Sequence, residues 1–128
     1  MPRVALVTGL PTSFLATRVV EQLLMSSPNS EIRCVVQEKS LPRAREILEG
    51  FRKQDSERVT ILEGDCAAMD LGLSGAEFNR LAAEVNVVHH CAAITYLGVD
   101  RKIAEEVNVG GAREILELAE RIERNAPE

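Results

Sequence analysis

Four short apolar runs, each followed by a segment with helical spacing, constrain this 128-residue chain more than any other feature. The runs are Arg3-Val4-Ala5-Leu6-Val7-Thr8, Ile32-Arg33-Cys34-Val35-Val36, Val59-Thr60-Ile61-Leu62 and Val85-Asn86-Val87-Val88-His89-His90. They are brief and rich in β-branched residues, as buried strands are. Between the first two, Phe14, Leu15, Val19, Val20, Leu23 and Leu24 make one face of a helix from Thr12 to Met25. A charged helix from Pro42 to Gln54 follows the second run, with Pro42 in the first turn, where a missing N–H costs nothing. After the third run, Ser74 and Glu77 form a capping box for a helix carrying Phe78, Leu81 and Ala82. A last helix starts after Asp100, is broken or bent around Gly110-Gly111, and continues its apolar face through Ile115, Leu118 and Ile122. Strict alternation predicts an α/β fold: a Rossmann-like parallel sheet of four strands, order 3-2-1-4, with helices on both faces. No repeat or linker divides it, so a single domain over residues 1–128 is expected.

Composition narrows the function classes. Aromatics are 3% and Trp is absent, so the core must be aliphatic. The net charge is −5 and no basic patch with interleaved aromatics occurs, which argues against nucleic acid as a partner. No apolar run approaches the ~20 residues of a membrane span. Cys34, Cys66 and Cys91 have no metal-ligand spacing and read as buried free thiols in a reducing, cytoplasmic setting. His89 and His90 are adjacent on a strand and point to opposite faces, so no metal site is expected.

Thr8-Gly9 stands where the first strand meets the first helix. In a doubly wound sheet this crevice receives a pyrophosphate, because the free N–H groups at a helix start favour an anion. The segment reads Val7-Thr8-Gly9-Leu10-Pro11-Thr12-Ser13-Phe14-Leu15-Ala16. Here the chain resembles the extended short-chain dehydrogenase/reductases, above all the thioester-reductase and fatty-acyl-CoA-reductase (male-sterility-like) branch. Thr8-Gly9 and Phe14-Leu15 match that branch's T-G-x-x-G-F-[LI]-G loop. Gly64-Asp65 matches its G-D after the third strand, and the stretch from Leu71 to Ala82 is similar as well. His90-Cys91-Ala92-Ala93 resembles its H-x-A-A, and Asn108-Val109-x-Gly111 its N-V-x-G-T. The resemblance covers nearly the whole chain and implies an NAD(P)-binding half of a reductase. The cofactor-binding residues it implies are Thr8, Gly9, Thr12, Ser13, Phe14, Leu15, Gln37, Asp65, Cys66, Ala92, Ala93 and Asn108. Asp65 would face the adenine amino group, or else cap its own turn. Asn108 would help order the active site, or else only start a helix turn.

The departures bear on function. The loop is one residue longer than the pattern, Thr12 or Ser13 replaces its second glycine and Ala16 its third. Added side chains occupy space where backbone approaches a pyrophosphate, so binding of NADP or NAD is expected to be weakened or lost. Relatives that use NADP place an Arg about where Gln37 stands; Glu38 suits NAD, Lys39 or Arg43 a 2′-phosphate, and the choice stays open. The Tyr-x-x-x-Lys pair is absent: Tyr96 is the only tyrosine and Asp100 stands four residues on. Tyr96 is read as a pocket wall, and the chain as truncated before the fifth strand. No catalytic residue is therefore expected, and the other half would come from the same protein or a partner. The alternative is a non-enzymatic scaffold for interaction or assembly, with Thr12 and Ser13 filling the phosphate site. The fourth strand, without a fifth beside it, predicts a homodimer through that edge or the last helix.

Overall fold

The computed structural model describes residues 3–93 and 100–125. Strands β1 (Val4–Thr8), β2 (Glu31–Val36), β3 (Val59–Glu63) and β4 (Val87–His90) form one parallel sheet in the order β3-β2-β1-β4. All five residues of β1 are buried, because the sheet is covered on both faces. Alternate side chains feed two cores. Leu6 and Val35 pack with Leu71, Phe78, Leu81 and Leu118 beneath helices α4 (Gly75–Glu84) and α6 (Gly111–Asn125). Val7, Ile32 and Cys34 pack with Ala16, Val20 and Ala44 beneath α1 (Phe14–Ser26) and α2 (Leu41–Glu49).

Local chemistry shifts several boundaries from those expected. Helix α1 begins at Phe14 rather than Thr12, because Ser13 is extended and its Oγ accepts the Ala16 N–H as an N-cap. The charged helix is two pieces, α2 and the single turn α3 (Lys53–Ser56). The break comes where the Gly50 and Phe51 N–H groups bond back to Ile47 and Leu48, and Arg52 turns extended. Strand β4 starts at Val87, since Val85 caps α4 and the Asn86 side chain accepts the Val4 N–H. The Ser74–Glu77 capping box is present. Helix α5 (Arg101–Glu105), N-capped by Asp100, runs into α6 through a π turn, Glu106–Gly110, so the bend expected at Gly110-Gly111 is one wide turn rather than a break.

Candidate nucleotide-binding site

The strand order places the site. From β1 the chain moves outward through β2 and β3, then returns to lay β4 on the other side of β1. A crevice opens at such a switch point, outside the carboxyl ends of the strands. Thr8 and His90 end their strands as register partners. The Thr8 hydroxyl, fully buried, accepts the Cys91 N–H at 3.0 Å and the Ala92 N–H at 3.2 Å and lies 2.7 Å from His90 Nδ1. With both lone pairs engaged, its proton goes to Nδ1, which leaves the imidazole proton on Nε2. Burial holds the His90 pKa below its ordinary value, in keeping with a neutral ring. This bond ties the H-C-A-A segment to the T-G turn.

Gly9 follows at φ +105°, a conformation that side chains rarely adopt. A Cβ there would sit 2.9 Å from the Cys91 carbonyl carbon and 3.0 Å from the Ala92 nitrogen. The Ser13 N–H bonds to the Gly9 carbonyl, and the Thr12 hydroxyl donates to the same oxygen at 3.3 Å. Both added hydroxyls are thus turned into the loop itself. Among the described residues, the Phe14 and Leu15 N–H groups make no hydrogen bond, and both side chains are largely exposed. Two free amides over a close-packed glycine turn fit a pyrophosphate.

At the other end of the crevice, beyond β2 and β3, residues 37–39 and 63–65 and Gly72 line a cavity of about 440 Å³. Asp65 Oδ1 accepts the Ala67 N–H at 2.9 Å, so the carboxylate does cap its turn while the residue still lines the cavity. Gly64 is packed against the Leu71 carbonyl and the Val35 side chain, which leaves no room for a Cβ. The loop beyond is wound left-handed through Asp70 (φ 53°), Leu71 (φ 59°) and Gly72 (φ 67°). It is held by the Asp65 N–H on the Leu71 carbonyl and by Glu114 Oε1, which accepts the Asp70 N–H.

The structure therefore gathers Thr8, Gly9, Ser13, Phe14, Leu15 and Ala92 at one end, and Gln37 and Asp65 at the other. Ala93 is exposed just past Ala92. Asn108 lies in the π turn, exposed, three residues before Gly111, which packs on the Cys66 carbonyl and the His90 ring. Burial first, and then the Asp65 charge, pushes the Cys66 thiol up to about 12, so it is no nucleophile near neutral pH. Cys34 is the one fully buried thiol of three; Cys66 and Cys91 are half-buried. Tyr96 lies outside the described residues. Among the described residues no cluster of His, Cys, Asp or Glu is placed to hold a metal. Sequence reasoning did not single out Glu63, Gly72 or the Thr8–His90 bond. The signal for the first and last was the parallel register, which makes Val36–Glu63 and Thr8–His90 neighbours at strand ends.

The family model described as male sterility protein, an NAD-binding family, matches residues 7–127. The chain belongs to this family. One relative belongs to the linear gramicidin synthase of Brevibacillus parabrevis, a polypeptide 34% identical over 90% of the chain and 2% of its own length. A Drosophila melanogaster fatty acyl-CoA reductase is 38% identical over 51% of the chain and 13% of its own length. Among solved structures, the terminal R domain of the myxalamid pathway superposes with a TM-score of 0.82 and 31% identity. The reductase domain of a Mycobacterium tuberculosis peptide synthetase gives 0.71 and 25%. The chain spans 32% and 30% of those two domains, and far less of the curated relatives. Membership accounts for the glycine turn, the G-D loop and the strand order together. Among the described residues, no helix of this family member is long and apolar enough to cross a membrane.

Proposed function

We propose that this chain is the nucleotide-binding half of an NAD(P)-dependent reductase of carbonyl or acyl-thioester substrates. The observation that carries the reading is the β1–α1 turn, where Gly9 packs on the backbone of β4's exit and leaves the Phe14 and Leu15 amides free for a pyrophosphate. Membership of the male sterility protein family, and likeness to reductase domains at 31% and 25% identity, support it. The bound dinucleotide would supply the hydride. Thr8 fixes the Cys91-Ala92 backbone beside the nicotinamide end, while Asp65 and the cavity at residues 37–39 receive the adenosine. The proton donor for the reaction comes from outside these residues, in the same protein or a partner.

Calorimetric titration with NAD and NADP tests this, with two variants. Gly9→Val removes binding but also strains the turn. Phe14→Pro deletes one amide at the first helical position, which proline tolerates, after an extended Ser13 that suits a following proline. The proline variant should fold normally and bind at least about tenfold more weakly, the loss of one charge-assisted hydrogen bond. Unchanged binding in Phe14→Pro would refute the assignment. A second reading, a non-enzymatic assembly scaffold, is favoured by the hydroxyls of Thr12 and Ser13 at the loop; it predicts no heat at millimolar cofactor.

A further inference from the structure

We infer that the adenosine end of the cleft selects against a 2′-phosphate, so that the chain takes NAD(H) in preference to NADP(H). The inference rests on the cofactor-binding reading above and specifies the cofactor within it. The residues lining the cavity beyond β2 and β3 include three acidic ones, Glu38, Glu63 and Asp65, and one basic one, Lys39. Among the described residues none of the four is in an ion pair. Gln37, the first residue past β2, adds no charge. The nearest arginine on the following helix, Arg43, does not line the cavity and lies 3.3 Å from Glu46.

The two cofactors differ at one group. A 2′-phosphate carries about −1.5 to −2 charge at neutral pH and seeks guanidinium or ammonium donors. Here it would meet more carboxylates than cations. A 2′-hydroxyl instead donates to a carboxylate, the arrangement by which an acidic residue after the second strand selects NAD. Glu38 stands two residues past the end of β2 and lines the cavity. Glu63 joins it from the neighbouring strand, whose last residue is in register with Val36. Two acidic residues from adjacent strand ends therefore line the cavity that would receive the extra phosphate.

The test uses ADP-ribose and 2′-phospho-ADP-ribose, which share every group except that phosphate, titrated into the full chain. At low salt ADP-ribose should bind at least about tenfold more tightly, and at 1 M salt the difference should shrink severalfold, since exposed charges are screened. Glu63→Gln, at an exposed position, should raise affinity for the phosphorylated probe and leave ADP-ribose within about threefold, whereas Glu38→Gln should raise affinity for the phosphorylated probe and also weaken ADP-ribose, which loses its bond from the ribose hydroxyl. Equal or tighter binding of 2′-phospho-ADP-ribose to the unmodified chain would overturn the preference while leaving the cofactor site standing. Failure of both probes to bind at millimolar concentration would overturn the cofactor reading, and this inference with it.

Discussion

Thr8 carries more of the site than its size suggests. Its hydroxyl satisfies two backbone amides at the exit of β4 and orients the His90 ring. Thr8→Val keeps the shape and the bond from the Cys91 N–H to the Thr8 carbonyl but strands the Ala92 N–H, so it should lower stability by about 1–3 kcal/mol. Thermal unfolding checks this, and an unchanged melting temperature would contradict it. His90 gives a pH signature. Its folded pKa lies below the ordinary value of 6.5 because the ring is partly buried. As pH falls below 6.5 the unfolded chain binds a proton that the folded chain resists, so stability declines through that window and is fully present above it. His90→Asn should flatten the slope below pH 6.5 in denaturant titrations.

At the scale of elements, the loop between β3 and α4 holds the most strain. Asp70 and Leu71 are both left-handed without being glycine, and Leu71 is fully buried. Burial of that side chain and the Glu114 clamp offset the backbone cost, which is about 1 kcal/mol per residue. Asp70→Gly should therefore be neutral or stabilising by up to about 1 kcal/mol, whereas Glu114→Ala, which frees the Asp70 N–H, should cost about 1–2 kcal/mol. Chemical denaturation measures both, and a loss in Asp70→Gly would argue against strain there. Nothing in Met69-Asp70-Leu71-Gly72 announces three successive left-handed residues, because the turn is imposed by tertiary contacts rather than by local propensity. The Ser74–Glu77 box, by contrast, was legible, since both halves of its chemistry lie within one turn. The split between α2 and α3 was not, because the charged spacing continues across Gly50 while the hydrogen bonds tighten.

At the scale of the whole molecule, the parallel sheet was readable from alternation, and its order from the Rossmann pattern that right-handed crossovers favour for such a chain. The site was readable only in part. Gly9 and Asp65 stand out as motif residues, but the cavity walls depend on which strand ends become neighbours. Among the described residues β4 pairs with β1 alone, and Leu116 on α6 is 63% exposed. We propose that the isolated chain self-associates through that edge or that helix face. Light scattering should give about twice 14.1 kDa, and a clean monomer would contradict it. The central claim is that the β1–α1 turn holds a pyrophosphate. The most direct measurement is an NMR titration of the ¹⁵N-labelled chain with NAD, following the amides of Gly9, Phe14 and Leu15. These three should shift together and saturate, and in the Phe14→Pro variant the Leu15 shift should need at least about tenfold more NAD to saturate. Shifts confined to other residues, or none at millimolar NAD, would contradict it.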